Sequence, residues 1–328
     1  MTQSDPEIGK TVIAAGLKTN YLEAGQGDPV ILIHGSGPGV TAYANWRFTI
    51  EPLAQKYRVL APDIAGFGYT GIELLADVPH AWPAGLLEVS KESIRLAVRE
   101  SGLVISNINA FMMNAIADPR QPYWHPGWTD PDPHYRAIRR EHTKRALALA
   151  AEIGAKHIST EPGGEIQPGQ TRGQATDIFY NEIMPALDVA ADCGVTLLIE
   201  PEPGLLIETF GQYLEFAERV NHPALGLNFD VGHAYCVGED PAEWVPRMKA
   251  HTRHYHVEDI AATRVHHHLV PGEGAIDFAA TLKAIATHTP DIWVTVELYP
   301  YRDRPDDAAR AARTHLLAVA QAAGVELV

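Results

Sequence analysis

Short apolar runs alternate with amphipathic stretches along most of the chain, from about Gly71 onward. This alternation is typical of a parallel sheet covered by helices, because buried parallel strands read as continuous apolar runs. The pattern predicts strands at 71–76, 103–109, 155–160, 195–200, 225–230, 252–257 and 292–297. It predicts helices near 90–101, 133–153, 174–193, 209–220, 240–250, 276–287 and 305–323. Gly154 and Gly194 are placed to end helices, and Asp277 to start one.

These elements make seven βα units, whereas a closed barrel of this type has eight. The upstream segment contains a further strand, helix and strand, with the sequences PVILIH, NWRFTIEPLAQKY and RVLAPDI. We expect this segment to donate the missing first strand and first helix, or else to lie beside an imperfectly closed barrel.

Residues of roughly 9–70 resemble the start of an α/β-hydrolase, specifically the hydrolases that cleave meta-ring-fission products. The resemblance rests on HGSGPG at 34–39, PD at 62–63 and GFG at 66–68, and it stops near Thr70. The nucleophile elbow G-x-S-x-G of such enzymes is absent from the sequence, so hydrolase chemistry is not expected. We interpret residues 1–70 as a hydrolase-like segment joined to a barrel domain at 71–328, as in a chimera.

Four predicted strands each carry a candidate metal ligand at or near the C-terminal end: Glu200, Asp230, His256 and Glu297. A carboxylate that follows an apolar strand has reached the open rim of a barrel, where it needs a partner or a cation. Three carboxylates with one imidazole suit Mn²⁺ or Mg²⁺ better than thiolate-bound Zn²⁺. The residue types therefore predict a divalent metal site, although each residue alone could be an ordinary strand-end side chain.

The stretch of about 71–328 resembles the xylose-isomerase-like TIM-barrel sugar isomerases and epimerases, often described as sugar phosphate isomerase/epimerase. The resemblance is carried by the ordered motifs IEPEPG, FDVGH, HYHVED, HLVPGEGAIDF and VTVELYP. It implies a (β/α)8 barrel whose first unit is replaced by the hydrolase-like segment. It also implies one divalent ion, Mn²⁺ foremost with Mg²⁺ or Co²⁺ as alternatives, held by the four residues named above.

Several further residues are candidate substrate contacts by their positions in these motifs or on the same rim: His233, Glu202, Arg264, His268, Glu161 and Glu73. His254 shares a strand face with His256, and it either orients the ligands or is a core histidine. The sequence VED after His256 departs from the epimerase pattern H-x-x-E. The resemblance therefore does not identify the exact substrate of this protein.

The composition limits the kinds of binding partner that the protein is expected to have. A net charge of −15 argues against nucleic acid, because phosphate-binding surfaces need clustered Lys and Arg. Two cysteines form no disulfide framework, and the N-terminus has neither a basic leader nor a membrane-spanning apolar run. We expect a cytoplasmic protein acting on a small sugar without a membrane partner; whether it forms a homo-oligomer stays open.

The resemblance implies proton transfer at the carbon beside a carbonyl, through an enediolate. Glu200 and Glu297 would act as catalytic residues that remove and return the proton. The predicted function is a divalent-metal-dependent sugar or keto-sugar isomerase or epimerase. The alternatives are a lyase on the same scaffold, of the inosose dehydratase or C-glycoside-cleaving type, and a catalytically impaired fusion protein.

Overall fold

Two separate β-sheets contain the named strands in the computed structural model, which describes residues 9–14, 17–32, 42–62, 69–78, 80–101, 103–112 and 125–327. The hydrolase-like motifs at 34–39, 63 and 66–68 lie outside these residues. The first sheet belongs to the N-terminal segment, and the second contains the seven strands predicted from residue 71 onward.

The N-terminal sheet has four strands in the order β1-β2-β4-β3. Its strands are β1 Lys10–Ala14, β2 Leu17–Ala24, β3 Pro29–Ile31 and β4 Arg58–Pro62, with helix α1 Ala42–Ala54 between the last two. β1 and β4 both pair antiparallel with β2, whereas β3 pairs parallel with β4.

The expectation that PVILIH donates a strand to the barrel is wrong for the part of that strand that the structure describes. Val30 pairs with Val59 of β4, and the β1–β2 hairpin pairs with the other edge of β4. These pairings occupy the strands of the segment within their own sheet, so β3 does not lie in the barrel sheet. The division of the chain near residue 70 stays a prediction.

The second sheet is the nearly closed parallel barrel that the sequence predicts. Its strands are β5 Gly71–Leu75, β6 Val104–Asn109, β7 His157–Thr160, β8 Thr196–Ile199, β9 Leu225–Asp230, β10 Thr252–Val257 and β11 Val294–Val296. They are paired in chain order from β5 to β11, each parallel to its neighbours.

Helices follow these strands as in a TIM barrel. They are α2 Glu88–Ser101, α3 Pro133–Ile153, α4 Arg172–Cys193, α5 Phe210–Val220, α6 Val231–Cys236, α7 Pro241–Met248, α8 Phe278–His288 and α9 Pro305–Ala322. Their ends have local causes. Gly154 and Gly194 terminate α3 and α4 in the left-handed conformation, with φ of 88° and 66°, and Asp277 caps α8 by accepting from the backbone N–H of Ala280.

The seam between β5 and β11, where an eighth strand would stand, is spanned by side chains. The indole of Trp293 lies so close to Gly71 that a Cβ there would be 2.8 Å from a ring carbon. Ser106 Oγ on β6 lies 3.2 Å from Thr295 Oγ1 on β11. In the described part of the chain, side-chain packing and this contact bridge the seam, and no strand does.

The barrel interior changes from apolar to polar toward the C-terminal ends of its strands. Most of the buried apolar residues of this domain form one cluster between sheet and helices. A buried polar layer crosses the barrel below the rim, formed by Ser106, Asn107, Ser159, Asn228 and His254. Among the described residues, no helix has the length and apolar character needed to cross a lipid bilayer.

Candidate metal centre

The four predicted ligands come together at the C-terminal ends of consecutive strands. Glu200 follows β8, Asp230 ends β9, His256 lies near the end of β10, and Glu297 follows β11. One ligand atom from each lies within 4.8 Å of those of the other three. Parallel strands bring their carboxyl ends to one face of the barrel, so residues spread over about a hundred positions converge.

His256 is the centre of this group, and its two ring nitrogens face different carboxylates. Nδ1 lies 2.8 Å from Glu200 Oε1, 3.6 Å from Glu297 Oε2 and 3.9 Å from Asp230 Oδ2. Nε2 lies 2.8 Å from Oε2 of Glu73, which stands on β5. Nδ1 is therefore the atom that joins the imidazole to the three carboxylates of the predicted ligand set.

Concentrated negative charge shapes the electrostatics of the site. Burial, together with the charges of Glu200 and Asp230, raises the pKa of Glu297 to about 8 although His256 opposes the shift. Burial alone would lower the pKa of His256, but the surrounding carboxylates, Glu200 and Glu73 foremost, raise it well above its ordinary value. A group that holds its protons this strongly has more negative charge around it than the protein's own cations compensate.

Asp230 has a neutral carboxyl beside it. Burial, and after it the charge of Asp230, raises the pKa of Glu258 well above the ordinary range. Burial would also raise the pKa of Asp230, but His233 and the adjacent Glu258 carboxyl outweigh it and lower that pKa to about 2. Glu258 therefore retains its proton and Asp230 carries the charge.

The polar layer below the rim fixes Glu200. Asn228 donates through Nδ2 to Glu200 Oε2 over 2.8 Å, and its Oδ1 lies 3.0 Å from Nδ1 of His254. Because a carboxylate only accepts, the amide nitrogen must face Glu200, and His254 Nδ1 must carry a proton. Burial lowers the pKa of His254 to about 3. His254 is thus a neutral core histidine that also orients a candidate ligand.

A second group of polar side chains lies beside the four ligands, formed by His233, His266, His268 and Glu202. His233 Nε2 lies 3.4 Å from Glu202 Oε2, and His266 Nδ1 lies 3.2 Å from Glu202 Oε1. His266 and His268 approach through their Nε2 atoms over 3.0 Å. Burial, followed by the charges of Glu200 and Asp230, raises the pKa of Glu202 well above its ordinary value.

Three of the predicted substrate contacts, His233, Glu202 and His268, thus lie together at the rim. Sequence reasoning missed His266 as a member of this group and Glu258 as a buried neighbour of Asp230. The run of three histidines at 266–268 was the available signal, but it gave no indication of which rings turn inward.

The other predicted contacts are placed differently. Arg264 is exposed; its guanidinium stacks on the Tyr235 ring at 4.6 Å and donates to the Tyr235 carbonyl. Glu161 is fully buried after β7 and accepts from the backbone N–H of Trp128. Neither contacts the four-ligand group directly in the described contacts, whereas Glu73 does so through His256.

Asp259 explains the departure from the epimerase sequence pattern after His256. Its carboxylate accepts from the backbone N–H groups of Gly272 at 2.8 Å, Gly274 at 2.9 Å and Ile276 at 3.1 Å. A Cβ on Gly274 would lie 2.3 Å from Asp259 Oδ1, so the close approach requires glycine. Asp259 therefore holds the loop PGEG beside the rim.

The residues present fit a divalent cation. Three carboxylates and one imidazole are the donor set that Mn²⁺, Mg²⁺ and related ions accept. Oδ2 of Asp230 is buried, has no hydrogen-bond partner among the described residues and lies 3.9 Å from His256 Nδ1 within the group. A cation there would offset the charge that raises the pKa of Glu297.

Comparison with known proteins places both parts of the chain. The family described as "Xylose isomerase-like TIM barrel" matches residues 62–319. A solved D-tagatose 3-epimerase-like protein superposes with a TM-score of 0.66 at 18% identity, covering 78% of this chain and 90% of that one. An E. coli 3-keto-D-glucoside 4-epimerase gives a TM-score of 0.65 at 17% identity, covering 89% of this chain and 98% of that one.

The N-terminal segment matches other proteins. A 2-hydroxymuconate semialdehyde hydrolase from Pseudomonas sp. (strain CF600) is 57% identical over 68 residues, which are 21% of this chain and 24% of that protein. A 2-hydroxy-6-oxo-2,4-heptadienoate hydrolase from Pseudomonas putida is 54% identical over 92 residues, 27% of this chain and 33% of that protein. The chain thus spans between a quarter and a third of these curated relatives.

Proposed function

Since the chain belongs to the xylose isomerase-like TIM barrel family, we propose that it is a divalent-metal-dependent sugar or keto-sugar isomerase or epimerase. The observation that carries this proposal is the convergence of Glu200, Asp230, His256 and Glu297 within 4.8 Å at the open rim of the barrel. Epimerases among the solved structures of the same fold support the choice of reaction.

The chemistry that we propose is proton transfer at the carbon beside a carbonyl. Removal of that proton leaves an enediolate, whose oxygens carry the developing charge. A divalent cation held by the four residues would polarise the carbonyl and stabilise that charge.

Glu200 and Glu297 are the proposed proton-transfer groups. Glu200 is held by Asn228 from below, which fixes its orientation toward the rim. Glu297 is the most exposed of the four, with a quarter of its side chain accessible, so a substrate can reach it. Its carboxylate is thus positioned to take a proton from the carbon beside the carbonyl and to return it.

The neighbouring polar group supplies candidate contacts for substrate hydroxyls. His266 and His268 are neutral, because burial lowers their pKa values to about 4 and about 3. Neutral imidazoles and the protonated carboxyl of Glu202 both donate and accept hydrogen bonds without adding charge. We propose that the substrate is a small sugar and that the metal is Mn²⁺, with Mg²⁺ and Co²⁺ as alternatives.

A deuterium exchange experiment tests the proposal. The protein is incubated with Mn²⁺ and a panel of ketoses, aldoses and keto-sugars in D₂O, and incorporation at the carbon beside the carbonyl is followed by NMR. We expect exchange in the wild type and a decrease of about 10²–10⁴-fold in Glu297→Gln, because a general base is lost. Glu165→Gln, which changes an exposed carboxylate after β7, is the control with unchanged exchange. Exchange at the wild-type rate in both variants would contradict the assignment.

The second candidate is a lyase on the same scaffold. A probable 3-DHS dehydratase superposes with a TM-score of 0.62, and elimination also begins with proton removal beside a carbonyl. Product analysis separates the two reactions, since a lyase releases water or an aglycone and an epimerase returns a stereoisomer. A chain that binds Mn²⁺ but catalyses no exchange would instead be an impaired fusion.

A further inference from the structure

A carboxylate on the first barrel strand contacts the side of His256 that faces away from the predicted ligands. Glu73 Oε2 lies 2.8 Å from His256 Nε2 and 3.5 Å from His254 Nε2. The Glu73 side chain is 12% exposed, so this pairing is largely shielded from water. Glu73 stands on β5, at the opposite end of the sheet order from β10 and β11.

The two ring nitrogens of His256 face different carboxylates. Nδ1 faces Glu200, Asp230 and Glu297, whereas the carboxylate nearest to Nε2 is that of Glu73. An imidazole that gives a lone pair to a cation through one nitrogen donates its remaining N–H through the other, often to a carboxylate. Such a donor fixes both the tautomer and the orientation of the ring.

Glu73 is itself held in place. Asn107 donates through Nδ2 to Glu73 Oε2 over 3.2 Å and approaches Ser159 Oγ at 3.0 Å. On the other side of His256, Asn228 holds Glu200 in the same way. The two carboxylates nearest to His256 are therefore each oriented by an asparagine of the buried polar layer.

We infer that Glu73 is a positioning residue that accepts the Nε2 proton of His256 and so turns Nδ1 toward Glu200, Asp230 and Glu297, setting the affinity for a divalent cation. The inference rests on the proposed metal centre and assigns Glu73 a role other than substrate contact. It also links cation binding to the barrel seam, because the Glu73–His256 contact joins β5 to β10 across it.

Direct titration of the purified full-length chain with Mn²⁺ by calorimetry tests the inference. We expect Glu73→Leu to bind Mn²⁺ about 10–100-fold more weakly than the wild type, because the ring loses its carboxylate partner. Glu73→Gln keeps an oxygen that accepts the Nε2 proton, so its affinity should lie between the two. Glu165→Gln is the control with unchanged affinity, because it alters an exposed carboxylate outside the polar layer.

A purely structural role for Glu73 makes a different prediction. In that case Glu73→Gln would lower the melting temperature of the metal-free protein and leave the Mn²⁺ affinity unchanged, which would overturn the inference. If Glu73→Leu does not fold, the affinity of Glu73→Gln decides. Absence of Mn²⁺ binding in the wild type would overturn the proposed metal centre itself. Equal Mn²⁺ binding by the wild type and the Glu73 variants would overturn only the role of Glu73.

Discussion

Gly232, two residues after Asp230, is the point at which the candidate centre has the least room. A Cβ at this position would lie 1.7 Å from Glu258 Oε1 and 3.0 Å from a side-chain carbon of Ile260. The carboxyl of Glu258 occupies the space because it stands beside Asp230 in the fully buried interior. At this scale the candidate metal centre depends on the absence of a side chain at Gly232 as much as on the predicted ligands.

We therefore expect Gly232→Ala to lower the free energy of unfolding by about 1–3 kcal/mol, the usual cost of an overpacked core. Mn²⁺ affinity should fall as well, because Glu258 and Asp230 must move apart. Gly173→Ala is the control: a Cβ there meets nothing within 4 Å, so the stability should be unchanged or rise by about 0.4–1 kcal/mol. Urea denaturation measures the free energy of unfolding of both variants. Equal stability of the two would contradict the packing argument.

At the scale of elements, one carboxylate at the turn from β9 into α6 combines an observed capping role with a predicted ligand role. Asp230 ends the strand, adopts extended φ and ψ of −87° and 122°, and accepts from the backbone N–H of His233 through Oδ1 over 2.7 Å. It is thus the N-cap of α6, while Oδ2 faces the predicted ligands. The short helix positions His233 one turn further on.

Two substitutions separate these functions. Asn is as good an N-cap as Asp, so metal-free Asp230→Asn should be at least as stable as the wild type, whereas Asp230→Ala should lose about 1 kcal/mol. Mn²⁺ at 100 times its dissociation constant should stabilise the wild type by about 2.7 kcal/mol and neither variant. Thermal melts with Mn²⁺ and with EDTA provide the measurement. If Asp230→Asn kept the full Mn²⁺-dependent stabilisation, Asp230 would not be a ligand.

At the scale of the whole molecule, buried neutral histidines such as His142 weaken the fold in acid. His142 on α3 is stacked on Trp82 with ring centroids 5.0 Å apart, and its Nε2 lies 3.2 Å from the carbonyl of Ala110. Burial, with a smaller contribution from the charge of Arg139, lowers its pKa from 6.5 to about 3. Between these two values the unfolded chain binds the proton and the folded chain does not.

The contribution of His142 to stability should consequently decrease as the pH falls below about 6.5, by about 2 kcal/mol at pH 5. The sign follows from linkage, because the unfolded state binds more protons in this window. His142→Phe keeps an aromatic ring against Trp82 and removes the titrating group, so its loss of stability between pH 7 and pH 5 should be smaller. Urea denaturation at both pH values compares the variants, and identical losses would contradict the prediction.

Much of the barrel could be predicted because its signals are local. The helix predicted over 133–153 and the strand over 225–230 have those bounds in the structure, since caps, glycines and apolar runs lie next to the elements that they define. The short helix α6 was not predicted. Helix α6 begins directly after Asp230, which the apolar pattern assigns to the end of a strand. The pattern therefore gave no indication that Asp230 is also a helix N-cap.

The sequence by itself determined the order of the seven barrel strands and the residue types that stand at their ends. Residue type and strand-end position are local properties, and they suffice to select Glu200, Asp230, His256 and Glu297 as candidate ligands, which the structure brings within 4.8 Å of one another. The tertiary structure alone decided that β3 pairs with β4 and that Glu73 contacts His256. Both depend on contacts between segments distant in sequence: strand pairing is a competition among edges, and which nitrogen of a ring faces which carboxylate is set only when the barrel closes.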